Sequence, residues 1–298
     1  RVKMRSSDLG KVVDFRNKIG NERWVEATEE GKRIGAAIAV SAGGLSTRSG
    51  GLMHAARRLP EMMPIVGGKT FIDIKMAIAV REQAYMRKVT GDRKYKVPLI
   101  VMTSEFRIKE VSEALGISEQ DVRKSIYKKG FHKFTDRKTN IDVYVISQTL
   151  QPRFAQDGTK LRRQDGTYVS HPPGHWNFIR MLAISGVLGQ MKRMGIPFIF
   201  HSNMNNPAAN FKRSFKGIFY QELEKARTEG RPLPVAMFLL GENRGEKGGL
   251  LAEVHYDDGR VITQLVEGIA LPKEDKLLIK SELDVLKARI MEQGLDDK

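Results

Sequence analysis

IGAAIAV (34–40) runs straight into SAGGLSTRSGG (41–51). An unbroken apolar run predicts a strand buried on both faces, the kind found inside a parallel sheet. The segment after it holds four glycines, Gly43, Gly44, Gly50 and Gly51, with Ser46, Thr47 and Ser49 among them and Arg48 in the middle. A plain turn needs one or two glycines. A glycine-rich loop at a strand end lets backbone N–H groups come close to an anion, because no Cβ intervenes, and hydroxyls add donors. The stretch is a phosphate or nucleotide cradle in type; a flexible structural loop is the alternative. No Gly-Lys-Ser/Thr follows, so it is not a P-loop, and its third glycine is misplaced for a dinucleotide fingerprint.

Working outward, Phe71 to Thr90 reads as a helix and Val97 to Met102 as a second buried strand. Glu105 to Leu115 and Glu119 to Tyr127 read as helices separated by Gly116. Asp142 to Ser147 is a strand, and Gln156 to Tyr168 a polar hairpin with turns at Asp157-Gly158 and Asp165-Gly166. Trp176 to Met194 reads as one helix closed by Gly195, and Pro197 to His201 as a strand. Leu233 to Leu240, Leu250 to His255 and Val261 to Leu265 are further strands, the last two joined by a turn at Asp257-Asp258-Gly259. An amphipathic helix runs from Lys273 toward Gln293, and residues 1 to 33 read as a polar, helical lead-in. Strands alternating with helices predict an α/β fold: an open, mostly parallel twisted sheet with helices on both faces, a Rossmann-like arrangement. Such sheets bind ligands at the carboxyl ends of their strands, where the strand order reverses. We see no internal repeat and no low-complexity tract.

The chain has 298 residues, 51 Lys and Arg against 35 Asp and Glu, and a net charge of +16. That balance draws polyanions: nucleotides, nucleic acid, an anionic membrane surface or an RNA-rich assembly. The charge is scattered, which also suits a solvated surface. There are no cysteines, which excludes disulfides, thiolate metal sites and thiol nucleophiles and fits an intracellular protein, cytoplasmic by expectation with an organelle left open. No apolar run reaches the ~20 residues a membrane span needs. No signal peptide is visible in a chain that opens on Arg1. The six histidines show no helical metal-pair spacing, and no Gly-x-Ser-x-Gly elbow is present. Lys109 to Tyr127 has the pattern of a helix-turn-helix, with Val111, Leu115, Ile117, Val122 and Ile126 apolar; connecting helices of the sheet are the plainer reading.

Seven segments, in order, resemble the eukaryotic-type UTP–glucose-1-phosphate uridylyltransferase family. AGGLSTR (42–48) is similar to its N-G-G-L-G-T loop, TFIDI (70–74) to T-F-L-D-L, and VPLIVMTSE (97–105) to its strand ending in M-x-S. QTLQPR (148–153) resembles Q-S-x-Y-P-R, HPPGH (171–175) resembles P-P-G-H-G-D, FIFHSNMNNPAA (198–209) resembles the strand ending in N-x-D-N, and EKGG (246–249) resembles V-K-G-G. The resemblance implies a nucleotidyltransferase-like domain over 34–272, between the lead-in 1–33 and a terminal helix 273–298. It implies transfer of a uridylyl group from UTP to a sugar 1-phosphate, releasing pyrophosphate, with Mg²⁺ as cofactor. Gly43, Gly44 and Leu45 would line uracil and phosphates, Gln148 would read the uracil edge, and Gly174 would pack on the base. His175 would lie near the sugar phosphate, with Arg48, Arg58 and Lys247 as candidate catalytic cations. Asn205 takes the place of a nucleotide- and metal-binding residue.

The departures concern charge. Ser46 replaces a glycine, Glu61 falls where the family has a phosphate-gripping Lys, and Asn177 and Asn205 replace aspartates. Asn205 keeps a carbonyl ligand and loses the charge that holds Mg²⁺. Two readings stay open: a divergent uridylyltransferase, or a catalytically silent module serving as a structural subunit of a larger assembly, with nucleic acid or ribonucleoprotein as a partner for the basic surface.

Overall fold

A computed structural model describes residues 2–3, 29–43, 68–155, 157–174, 177–204, 206, 209, 213–230, 249–255 and 261–267. In chain order the elements are β1 (Val2–Lys3), β2 (Ala36–Ser41), α1 (Phe71–Thr90), β3 (Leu99–Ser104), α2 (Ile108–Leu115), α3 (Glu119–Lys129), β4 (His132–Thr135) and β5 (Asp142–Gln148). They continue as β6 (Gln151–Pro152), β7 (Ser170–His171), α4 (Asn177–Ile184), α5 (Val187–Arg193), β8 (Phe198–Asn203), α6 (Arg213–Thr228), β9 (Gly249–His255) and β10 (Val261–Glu267). The chain forms two compact units: 22–234, and one built from 1–21 with 235–298. The sequence division at 33 and 272 does not mark these limits. In the smaller unit β9 pairs antiparallel with β10 and with β1, so Val2–Lys3 are strand rather than helix.

The larger unit carries a five-stranded sheet in the order β4-β5-β3-β2-β8. β5, β3, β2 and β8 are parallel, and β4 is an antiparallel edge. The predicted α/β architecture is therefore present, with one short edge strand that its four residues hide from a periodicity reading. Ala36 to Val40 are at most 1% exposed. Even positions of β2 face α1, α2 and α3 with Ile72, Ala79, Met86, Val111 and Val122. Odd positions face α4 and α5 with Phe178, Met181, Leu182 and Met191. Helices thus cover both faces, which is why β2 and β3 read as continuous apolar runs.

Local chemistry sets the boundaries. Thr70 and Asp73 form a reciprocal capping box that starts α1, and Gly91 ends it in the left-handed conformation. The predicted helix over 176–194 is two helices: Gly186, at φ +81°, breaks it after Ser185. The break lets the Ser185 carbonyl approach Gly130, where a Cβ would lie 2.6 Å from that oxygen. The helices of the helix-turn-helix pattern are the connection between β3 and β4, with Val111 and Val122 in the core.

The predicted polar hairpin is a three-limbed arch. Arg153, Leu161 and Val169, eight residues apart, bond in a ring: Arg153 N–H to Val169 C=O at 2.7 Å, Leu161 N–H to Arg153 C=O at 2.8 Å, and Val169 N–H to Leu161 C=O at 2.9 Å. Asp157 and Asp165 each accept from the backbone N–H and hydroxyl of the threonine two residues on, closing the turns. The sequence Gln-Asp-Gly-Thr occurs at both turns, a short repeat that the sequence reading passed over.

A buried ionic cluster joins α1, α6 and the entry to β2. Lys216 donates to Glu82 at 2.8 Å and to the Ile34 carbonyl at 2.5 Å. Arg213 contacts Glu82 at 3.4 Å and stacks over the Tyr85 ring. Burial pushes the Lys216 amine below its ordinary value, with Glu82 opposing that shift. Removing one partner strands a buried charge. Glu82→Ala is therefore expected to cost about 3–5 kcal/mol, and the paired Glu82→Met, Lys216→Met variant distinctly less, both measured by denaturant unfolding. Where β4 meets β5, burial raises the Asp142 carboxyl, but bonds from Thr135 and Lys133 and the charges of Lys133 and Lys96 outweigh it and hold the pKa below 3.8. Its contribution is complete above 3.8 and is lost as pH falls through the lower folded value. Unfolding of Asp142→Asn should lack that part of the acid sensitivity, read from stability against pH between 2 and 5, roughly the carboxylate range.

Candidate functional site

The chain leaves the sheet at the carboxyl ends of β2, β3, β5 and β8, and strand order reverses at β2. Beyond β2 the ladder extends one residue further, through Ala42 N–H to Met102 C=O at 2.7 Å. Gly43 follows. Ser104 Oγ donates to its carbonyl at 2.9 Å. A Cβ on Gly43 would lie 2.6 Å from Gln148 Nε2 and 2.9 Å from the Thr103 carbonyl carbon. Glycine is required here by close approach. Two residues chosen from sequence alone, Gly43 and Gln148, thus touch, although they come from strands separated by β3.

Gln148 ends β5 and is 2% exposed. Its Oε1 is buried with no hydrogen-bond partner among the described residues. The same holds for Ser147 Oγ, His171 Nδ1 and Asn177 Nδ2. His171 lies opposite Gln151, just beyond β5, and α4, which Asn177 opens, packs against β5. Polar atoms that are buried and unsatisfied cost free energy unless a ligand or water completes them. Gln148, His171 and Asn177 lie at or just beyond the end of β5, while Ser147 faces the other side of the sheet. Gly174, at the mouth of α4, has φ +98° and open space where a Cβ would go, so conformation rather than crowding selects glycine there. Among the described residues, then, Gly43 and Gln148 meet at this end of the sheet, and Gly174 lies three residues before the start of α4. Gly44, Leu45, Arg48, Arg58, His175, Asn205 and Lys247 lie outside the described residues, as do Ser46 and Glu61.

Two features escaped sequence reading. Ser41 Oγ and His201 Nε2 are hydrogen-bonded at 2.8 Å, and the His201 ring stacks on Phe178 at 4.0 Å and 8°. Lys75 of α1 is 1% exposed and donates to Ser202 Oγ at 3.1 Å, the Asn206 carbonyl at 2.6 Å and the Ala209 carbonyl at 3.4 Å. Burial lowers its amine to about 8. Its sequence signal was a lysine on the apolar stripe of α1, between Ile72 and Ile78.

The family model of UTP–glucose-1-phosphate uridylyltransferase matches residues 37–229. The chain belongs to this family. Among solved structures, a protein described as a UDP-N-acetylglucosamine pyrophosphorylase from Entamoeba histolytica is similar at a TM-score of 0.54 and 15% identity, over 92% of this chain and 59% of that one. The uridine diphosphate N-acetylglucosamine pyrophosphorylase of Trypanosoma brucei matches at TM-score 0.54 and 16% identity, over 84% of this chain and 44% of that one. These likenesses support the fold. UDP-arabinopyranose mutase 1 of Arabidopsis thaliana is 36% identical over 58 residues, which is 20% of this chain and 16% of the mutase. The chain spans well under two thirds of each of these proteins.

The family resemblance implies Mg²⁺. Among the described residues no group of three His, Asp or Glu side chains is placed to hold a metal. The charge set against the segment after β8 is the Lys75 ammonium. Asn205, the metal ligand the resemblance offers, lies outside the described residues. Among the described residues no helix is long and apolar enough to cross a membrane.

Because a Cβ at position 43 must displace Gln148 or the β3 backbone, Gly43→Ala should cost about 1–3 kcal/mol of stability. A thermal melt equal to that of the unsubstituted protein would overturn the contact.

Proposed function

We propose that this chain binds a uridine nucleotide at the carboxyl end of its sheet and acts as a nucleotidyltransferase on a sugar 1-phosphate. Gln148, whose Nε2 lies against Gly43 and whose Oε1 is buried and unpartnered among the described residues, carries this reading. A side-chain amide offers a donor and an acceptor in one plane, which suits the imide edge of uracil. In the reaction, a phosphate oxygen of the sugar phosphate attacks the α-phosphorus of UTP, and pyrophosphate leaves. The chain's part is to hold both reactants in line and to supply positive charge for the leaving group. Arg48, Arg58 and Lys247 are the proposed cations, with His175 against the sugar phosphate and Gly44 and Leu45 completing the loop.

A second reading, a silent structural subunit of a larger assembly, is favoured by Asn177 and Asn205 standing where the family has aspartates. Contact with nucleic acid through the basic surface belongs to that reading.

Pyrophosphate release from UTP and a series of sugar 1-phosphates tests the first reading; none released with any sugar would retire it in favour of the second. UTP should raise Tm more than ATP does. Gln148→Ala is expected to weaken UTP about tenfold, measured by calorimetric titration.

A further inference from the structure

The hydrogen bonds of the arch fix which of its side chains share a side. Phe154 is bridged to Lys160, and Arg162 to Tyr168, both antiparallel. Partners in an antiparallel bridge point their side chains the same way. Lys160 and Arg162 are two residues apart on the limb that both bridges use, and side chains two apart on an extended limb also share a side. One face of the arch therefore carries Phe154, Lys160, Arg162 and Tyr168: two rings and two cations. Side-chain contacts agree, with the Arg162 guanidinium 4.3 Å and the Lys160 ammonium 5.4 Å from the centre of the Tyr168 ring. Arg162 also donates to the Gly166 carbonyl at 2.9 Å and to the Tyr168 hydroxyl at 2.7 Å, which holds the guanidinium in place on the ring.

This face is not spent on the core. Phe154 is 57% exposed and Tyr168 42%, and Lys160 and Arg162 are exposed beside them. Exposed apolar groups gathered on one projecting surface mark an interaction site. Over 153–169 the chain has four cations, Arg153, Lys160, Arg162 and Arg163, against two carboxylates, Asp157 and Asp165. Each carboxylate is bonded by the threonine of its own turn. Cations interleaved with rings match a partner that carries both negative charge and flat apolar faces. Single-stranded nucleic acid is such a partner: phosphates meet the cations, and unpaired bases stack on aromatic rings or on a guanidinium plane. A duplex hides its base faces, and an acidic peptide supplies the charge without the rings. An anionic bilayer would meet the projecting turns first, and those carry Asp157 and Asp165.

We infer that the arch is a docking face for single-stranded nucleic acid, with Phe154 and the Tyr168–Arg162 stack as base platforms and Lys160 as a phosphate contact. The face uses none of the residues of the Gly43–Gln148 contact, so it holds whether or not the chain transfers uridylyl groups.

The test is fluorescence anisotropy of the whole chain with a short labelled oligoadenylate, which contains no uracil. Binding that weakens linearly in log affinity against log salt, and against which a duplex of the same length competes poorly, is the expected result. Phe154→Ala should weaken the oligomer about tenfold and leave the salt slope unchanged. Lys160→Gln should weaken it and make the slope shallower by about 0.7, the share of one phosphate. No binding, binding that ignores salt, equal competition by duplex, or both variants binding like the unsubstituted chain would each overturn the inference. So would equal affinity for polyglutamate or for phosphatidylserine vesicles. Should a variant not fold, the comparison of single strand with duplex decides. A chain that binds UTP and ignores oligoadenylate sinks this inference alone; the reverse sinks the uridine reading alone.

Discussion

The fold depends on one constraint: β2 must pair on both edges and be covered on both faces. Its residues 36 to 40 meet that demand with small side chains, Ala36, Ala37 and Ala39 among them, all but excluded from water. A strand so enclosed can project nothing outward along its length, so its chemistry has to lie at its tip. Where the pairing with β3 ends, at Ala42, the chain must turn away while the side chain of Gln148 arrives from β5. Glycine at 43 is the only residue that leaves that amide room. Core packing and the strand-tip contact are thus one arrangement, since the strand burial that stabilises the unit also sets how closely Gly43 and Gln148 meet.

Helix α1 carries the electrostatic counterpart. Its inward face holds two charged residues seven positions apart, Lys75 and Glu82. Near the entry to β2 the charge is neutralised within the cluster of Lys216 and Arg213, and the Ile34 carbonyl takes the spare donor. Near the strand tips the Lys75 charge is hydrogen-bonded to neutral oxygens and meets no carboxylate among the described residues. A buried charge without a counter-charge is costly.

Much of this was legible in the sequence, for physical reasons that can be named. The central strands are continuous apolar runs, and α1 begins with Thr70 and Asp73 at capping-box spacing, so the parallel core and the first helix could be read almost to the residue. Motif order gave the family and, by implication, Gly43 and Gln148 as site residues; their contact came from the structure. Other features left little trace. β4 has four residues of mixed polarity and gains its place only by pairing with β5. The break at Gly186 is one glycine inside a helical pattern, and glycine is tolerated in helices often enough to be overlooked. The smaller unit combines the two ends of the chain, a long-range pairing that no local periodicity encodes. Lys75 looks like an ordinary helix lysine until the segment after β8 is seen to fold over it, and the Ser41–His201 bond joins residues 160 apart.

That last separation has a consequence for biosynthesis. β2 gains β3 as a neighbour soon after it leaves the ribosome, but its other edge stays bare until β8 emerges. At about 5–20 residues per second, the wait is on the order of ten seconds. Throughout it, a mostly apolar strand offers an open hydrogen-bonding edge to any other nascent strand. A cell making this protein has reason to shield that edge, and chains stalled or truncated before β8 should be the ones that aggregate.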